Sequence, residues 1–285
     1  MKKINIVNNS IHIEEGKKAH FIRFGPAGLG PVKDSIENLE EYHRLGLSAC
    51  EIAFTYGVYM HDDKDAVEIG KAAERLGIKL SIHAPYFINL NSKEKKIIEN
   101  SKKRILDCCR IGEKLGAYRV VFHAGYFGGI DREKTYENIK NAVLDIMKEL
   151  KKNEWKIRIA PETMGKINVF GSVDEIARLV EETGCSFCID FAHILARDKK
   201  VDYVKIKNLF GKYNEWHCHF SGIEYGEKGE RKHIKTSKEN WKELLSNLPN
   251  GKKIIIINES PDMVNDSVNG LKLSKTIQRI NIYKE

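Results

Sequence analysis

Short apolar runs alternate along the chain with longer amphipathic stretches, one pair for roughly every 35 to 40 residues. The apolar runs predict strands at 20–25, 49–54, 79–83, 118–123, 156–161, 186–190, 215–220 and 253–259. Between them, apolar positions recur at helical spacing and predict helices at about 34–45, 63–76, 93–115, 132–151, 172–183, 201–212 and 237–247, with one more at about 265–280. Four helices stop at a glycine that leads into the next strand, at Leu45-Gly46, Leu76-Gly77, Leu115-Gly116 and Thr183-Gly184. Glycine takes the left-handed conformation of a helix C-terminus without steric cost. Ser35, Ser172 and Ser237 stand where N-caps are expected, and Ser172 with Glu175 has capping-box spacing.

Strands that are apolar through most of their length and separated by helices imply a parallel sheet covered by helices. Eight such units close the sheet, so the fold class is α/β and the architecture a (β/α)8 TIM barrel. No Pro-, Gly- or Ser-rich linker interrupts the series, and residues 1–285 are expected to form a single TIM-barrel domain. An open doubly wound sheet would want a G-x-G-x-x-G turn after the first strand, which the Gly25 to Gly30 segment lacks.

Six consecutive strands end on a residue able to bind a metal: His83, His123, Glu162, Asp190, His219 and Glu259. A lone histidine at a strand end is ordinarily a hydrogen-bonding anchor, and a lone carboxylate a helix cap. In a parallel barrel, however, all six lie on the C-terminal face, where active sites of this architecture form. Strand alternation aligns them with Ser81, Val121, Ala160, Cys188 and Ile257 two residues earlier, so the ligand-type residues cap inward-facing columns. Imidazole with carboxylate suits zinc, manganese or iron better than calcium or magnesium, and the ring predicts a metal-centred active site. His217 shares the face of His219 but lies deeper, and is expected to be a satisfied core histidine or a support for a ligand. His193, three residues after Asp190 on the same βα loop, and His233, in the loop after the seventh strand, add further donors. Together these exceed what one four-coordinate ion uses, so the site should hold two or three ions with Glu162 bridging a pair, an arrangement typical of phosphate-ester cleavage. His12, His20, His43 and His61 fall off the pattern and are assigned no role.

A chain 41% hydrophobic and 31% charged can bury a sizeable core and belongs with soluble globular proteins. No apolar run approaches the roughly 20 residues that span a bilayer, and the N-terminus lacks a signal-peptide h-region. The expectation is a cytoplasmic protein without a membrane partner. Cys108 and Cys109 are adjacent, Cys50 and Cys218 fall in strands, and the Cys185-x-x-Cys188 pair has no partner pair, so the thiols are expected in the core. Abundant lysine and glutamate with a single glutamine, Gln278, lean towards a heat-adapted composition. A net charge of +8 favours an acidic partner such as nucleic acid. The densest basic stretch, Lys93, Lys95, Lys96, Lys102, Lys103 and Arg104, is nevertheless interleaved with Glu94, Glu99 and Asp107 and predicts a solvated helix face.

The runs HisAlaProTyrPheIleAsnLeu from His83, PheHisAlaGly around His123, ProGluThrMetGly around Glu162, CysIleAspPheAlaHis from Cys188 to His193, HisPheSerGly from His219 and AsnGluSerPro around Glu259 carry a resemblance. They resemble the endonuclease IV family of apurinic/apyrimidinic (AP) endonucleases, zinc-dependent barrels of DNA base-excision repair, over roughly residues 80 to 260. The resemblance implies that His83, His123 and Glu162 hold a first zinc. Glu162, Asp190, His219 and Glu259 would hold a second, with a hydroxide between the two attacking the phosphate 5′ to an abasic site. Glu162 and Glu259 are the implied catalytic carboxylates. A third zinc, on the residues matching His193 and His233, would stabilise the departing 3′ oxygen. Tyr86 matches a tyrosine that packs into DNA near the abasic site, and Tyr86 and Asn89 are the implied DNA-binding residues.

The chain departs from the family at two places. Arg231 stands where the family has an aspartate two residues before the histidine, and PheThrTyrGlyValTyrMet replaces the segment that carries a DNA-probing arginine. A guanidinium repels zinc but can stabilise a leaving oxygen. The expectation is therefore two tightly bound zinc ions, with manganese as the alternative metal. A third would bind weakly unless Glu227 or Glu230 substitutes, and Arg231 would act in its place. Tyr86, helped by Tyr56 or Tyr59, would fill the gap left by an absent base. The expected function is a metal-dependent AP endonuclease of the deoxyribonuclease IV type, a monomer whose partner is double-stranded DNA with abasic sites. The alternative is a xylose-isomerase-like sugar isomerase or epimerase that uses one divalent ion on Glu162, Asp190, His219 and Glu259.

Overall fold

The predicted apolar runs form parallel strands, and the connections between them supply a short helix and a pair of strands that the periodicity does not announce. The structure, a computed structural model, describes residues 4–7, 10–13 and 21–283, with side chains from 21 to 277. The side chains of His12 and His20, and the first residue of the strand predicted at 20–25, lie outside the described residues. A hairpin of β1 (Ile4–Val7) and β2 (Ser10–Ile13) comes first. It is followed by β3 (Phe21–Pro26), α1 (Ser35–Arg44), β4 (Ala49–Ala53), α2 (Asp63–Arg75), β5 (Lys79–His83), α3 (Lys95–Leu115), β6 (Arg119–Phe122), α4 (Arg132–Lys152), β7 (Arg158–Pro161) and α5 (Val173–Thr183). The chain continues through β8 (Ile189–Asp190), α6 (Phe191–Asp198), α7 (Tyr203–Phe210), β9 (Glu215–Phe220), β10 (Gly222–Gly226), β11 (Gly229–Ile234), α8 (Lys238–Asn247), β12 (Lys253–Asn258) and α9 (Met263–Tyr283).

Strands β4-β5-β6-β7 and β3-β12-β9-β8 make two parallel arcs. On one side they join where the Cys188 amide donates to the Pro161 carbonyl at 3.1 Å, and on the other where the Ser48 amide donates to Phe24 at 3.1 Å. The second seam needs Gly25, because a Cβ there would lie 1.8 Å from the Ala49 carbonyl oxygen. The result is an α/β TIM barrel. Ser172 and Ser237 start α5 and α8 through capping boxes, whereas Ser35 is already inside α1, behind Asp34. All six cysteines are buried free thiols. On α3, Lys102 pairs with Glu99 and Asp145 and Lys103 with Asp107, the solvated face expected of that stretch. No helix among the described residues is long and apolar enough to cross a membrane.

Alternation along the strands builds the barrel interior in levels. At the N-terminal floor, Glu215 takes Lys79 at 2.6 Å, Arg158 at 2.8 Å and Arg119 at 3.3 Å, tying β5, β6 and β7 to β9. Burial alone would raise the Glu215 pKa, but Lys79 above all, with Arg119 and Arg158, holds it below the usual carboxylate range. Above the floor, Val121, Ala160 and Cys188 pack together, as do Ala49, Ile255 and Ile257. The large apolar core lies outside the barrel, where Leu80, Ile82, Val120, Phe122 and Ile159 meet the helices.

Candidate metal centre

The third interior level is polar. Lys79-Ser81-His83, Arg119-Val121-His123, Arg158-Ala160-Glu162 and Glu215-His217-His219 are columns of alternate residues, each rising from the charged floor to a metal-type donor at the C-terminal rim. The structure brings all eight metal candidates together in three adjoining sets. These are His83, His123 and Glu162; Glu162, Asp190, His219 and Glu259; and His193, Glu230 and His233, with the donor atoms of each set within 4.8 Å of one another. Glu162 is fully buried at the hub, its carboxylate 3.0 Å from His123, 3.1 Å from His219, 3.2 Å from His83 and 3.4 Å from His193.

Hydrogen bonds fix which nitrogen each ring presents. His83 turns Nδ1 to the Ala84 carbonyl at 2.8 Å and Nε2 to Glu162. Similarly, His193 gives Nδ1 to the Thr163 carbonyl at 3.0 Å and aims Nε2 at Glu230, 3.5 Å away. The Nδ1 of His233 meets the Ser221 hydroxyl at 2.7 Å. Asp190 uses Oδ1 to cap α6 through the His193 amide at 2.7 Å, while its buried Oδ2 has no hydrogen-bond partner. An orphaned buried carboxylate oxygen inside a ring of His and Glu donors is what a divalent cation would satisfy, so the residues fit a metal.

Burial opposes ionisation of Glu162, yet the charge of His219 and hydrogen bonds from His123, His193 and His219 outweigh it and hold the carboxyl well below the usual range. Burial likewise opposes a charged imidazole. Cys188, Glu51, Glu259 and Glu162 nonetheless raise His219 well above its ordinary value, and Asp190, Glu162 and Glu230 do the same for His193. A metal ion would therefore compete with protons for these rings, and its affinity would rise as pH rises. His217 behaves oppositely. Burial pushes it down to about 4, and it sits neutral between Tyr118 and Glu51, the satisfied core histidine expected.

Arg231 does not stand where expected. In a regular strand it would share the face of His233, but β11 carries a bulge there: Lys232 pairs with Glu224 and Glu230 with Tyr225, leaving Arg231 as the extra residue. The bulge turns Glu230 into the site beside His233, while Arg231 is exposed and packs along Gly226, away from the cavity lining. Gly229 allows this docking. It has φ +98°, and a Cβ on it would lie 2.1 Å from the Gly165 carbonyl.

The centre opens into a cavity of about 330 Å3 lined by His83, Tyr86, His123, Tyr126, Lys166 and Glu259, among others. Tyr86 is 54% exposed, its ring centroid 6.0 Å from that of His83 and 5.9 Å from that of His123. Tyr56 and Phe87 stand exposed beside it, 6.2 Å apart between centroids. Tyr59, by contrast, is packed on Phe54 with its hydroxyl on the Gly30 carbonyl. Asn89 braces a loop, its Oδ1 accepting from the amides of Asn91 and Tyr126.

The family model for xylose isomerase-like TIM barrels matches residues 39–277. The chain belongs to that family. Two relatives are an uncharacterized protein of Methanocaldococcus jannaschii, 36% identical over 86% of this chain and 94% of that one, and a probable endonuclease 4 of Mycobacterium leprae, 28% identical. The second match covers 53% of this chain and 60% of the endonuclease, less than two thirds of that relative's length. Solved structures of similar fold include SacUVDE (TM-score 0.72, 14% identity, 91% of this chain and 99% of that one). Endonuclease IV from Thermus thermophilus gives 0.65 at 20% identity, covering 90% and 98%. D-psicose 3-epimerase from Clostridium cellulolyticum gives 0.65 at 15%, covering 90% and 99%. At such identities the likeness is one of fold, and it runs to endonuclease and epimerase alike. In this xylose isomerase-like barrel one site carboxylate is absent from the sequence expectations: Glu51, fully buried on β4. Its signal is a charge inside the apolar run from Ala49 to Phe54, which a fold tolerates only when partnered.

Proposed function

We propose that the chain is a metal-dependent AP endonuclease that hydrolyses the phosphodiester 5′ to an abasic site in duplex DNA. It would use three divalent ions, zinc by preference and manganese as the alternative. The observation that carries this is charge: Glu51, Glu162, Asp190, Glu230 and Glu259 crowd around five imidazoles, which are neutral when they act as metal ligands. A single divalent ion would leave most of that negative charge uncompensated in a buried cluster, at a cost of several kcal/mol per ion. Three ions leave the centre net positive, suited to a phosphodiester. When bound, such ions polarise phosphoryl oxygens and supply a nucleophile at neutral pH. Glu162 keeps the donor sets in register, Lys166 offers the backbone a counter-charge at the rim, and Tyr86 presents a ring to the gap left by a missing base.

The test is a duplex oligonucleotide carrying one abasic site. Cleavage 5′ to the lesion with a 3′ hydroxyl is expected, lost on prolonged chelation and restored by zinc or manganese. Intact abasic DNA after metal reconstitution, with turnover of a ketose, would instead establish the epimerase reading, for which Glu162, Asp190, His219 and Glu259 suffice with one ion. Under non-cleaving conditions, Tyr86→Ala should weaken binding to abasic duplex by about 5- to 150-fold, one stacked base being worth about 1–3 kcal/mol. Intact duplex should bind almost as before, as fluorescence anisotropy on the two duplexes would report. Equal weakening of both would make Tyr86 a packing residue.

A further inference from the structure

We propose that Glu51 is a positioning residue of the metal centre, holding His219 by Nε2 so that Nδ1 faces the ion; this rests on the metal-centre reading above. The other hydrogen-bonded imidazoles of the site are oriented by neutral acceptors: the Ala84 and Thr163 carbonyls for His83 and His193, the Ser221 hydroxyl for His233. His219 is turned the other way round. Its Nδ1 lies 3.1 Å from Glu162 and 3.3 Å from Glu259, and its Nε2 lies 2.9 Å from Oε1 of Glu51. Both Nε2 and that oxygen are buried, and neither has a hydrogen-bond partner elsewhere. A slight tilt of the ring brings the Nε2–H onto the carboxylate.

Glu51 is itself immobilised. Its Oε2 accepts the Ser81 hydroxyl at 2.8 Å and Nε2–H of His217 at 3.0 Å, and the Tyr118 hydroxyl donates to the far nitrogen of His217. Three strands and the approach to a fourth therefore converge on one carboxylate beneath one ligand: β4 carries Glu51, β5 carries Ser81, and β9 carries both His217 and His219, while Tyr118 immediately precedes β6. A carboxylate on the outer nitrogen of a ligating imidazole fixes its tautomer and raises the basicity of the ligating atom. Among the described residues of the site His219 has the closest such partner, at 2.9 Å, whereas the outer Nδ1 of His193 lies 3.4 Å from Glu162 and Asp190, which are metal candidates themselves; the ion shared by His219, Asp190, Glu162 and Glu259 is therefore the most tightly held.

Zinc is the probe for the test. In the zinc-loaded protein, nitrogen NMR of labelled histidine should find His219 ligated through Nδ1 and protonated at Nε2. In Glu51→Gln that signature should disappear, and affinity for the tightest zinc, measured by competition with a chromogenic chelator, should fall about 10–100-fold. A purely structural role would lower the melting temperature of the metal-free protein and leave zinc affinity unchanged, which would overturn the proposal, as would ligation of His219 through Nε2. Should Glu51→Gln not fold, Ser81→Ala removes one of the two donors on Oε2 and should weaken the same affinity several-fold; an unchanged value again overturns it. A wild-type chain that competes with the chelator for no zinc at all would defeat the metal-centre reading itself. Tight wild-type binding unaltered in the variants would defeat only the role of Glu51.

Discussion

On the proposed function, Glu162→Gln should slow cleavage of abasic DNA by roughly 10²–10⁴-fold, because two ions would each lose a ligand and even an outer contact to a bound ion is worth about 10–100-fold. Glu162 reaches four imidazoles at once, with His83 and His123 on one side and His193 and His219 on the other. Glutamine keeps the shape but removes the charge and puts a donor where an acceptor is needed. His123→Ala, at the partly open edge of the site, removes one donor from one ion and should cost less, on the order of 10–100-fold. The check is cleavage rate against added zinc. Full rescue of Glu162→Gln by excess metal, with none for His123→Ala, would remove Glu162 from its bridging position.

The second large effect belongs to Glu230. Glu230→Gln should leave His193 and His233 without a carboxylate, release one ion per chain and slow cleavage by about 10²–10³-fold, the usual loss when charge stabilisation at a reacting oxygen is removed. Arg231→Ala should retain every ion and nearly the full rate, since its side chain lies along Gly226. Metal analysis of the dialysed variants beside their cleavage rates would check both. A slow Arg231→Ala with all ions retained, beside an active Glu230→Gln, would return the leaving-group role to the arginine.

The division between what the sequence reveals and what it hides follows the range of the interactions. Strand alternation is local, so the columns ending at His83, His123, Glu162 and His219 are legible from spacing alone, and with them the barrel. Glu51 is visible only as a charge in an apolar strand. Its partners, His217 and His219, lie across the barrel, and no spacing connects them to it. The strand pair β10 and β11 could have been suspected from the glycines at 222, 226 and 229, but its bulge could not. One extra residue exchanges the faces of Glu230 and Arg231, and the cause lies in pairing with β10, not in the run Glu230 to His233 itself. Asp190 hides α6 for a related reason: the residue that ends the strand also caps the helix, leaving no loop to mark the boundary.

Among the described residues, the salt-bridged floor at Glu215 and the packed layer of Val121, Ala160 and Cys188 above it close the N-terminal end of the barrel, and the centre opens at the C-terminal rim. Metal exchange and substrate binding must then share that opening beneath Tyr86. A bound duplex would act as its stopper, so the ions would be kinetically trapped during turnover and exchangeable only between encounters. The metal content of the protein would then depend on how often it is empty-handed as well as on how tightly it binds.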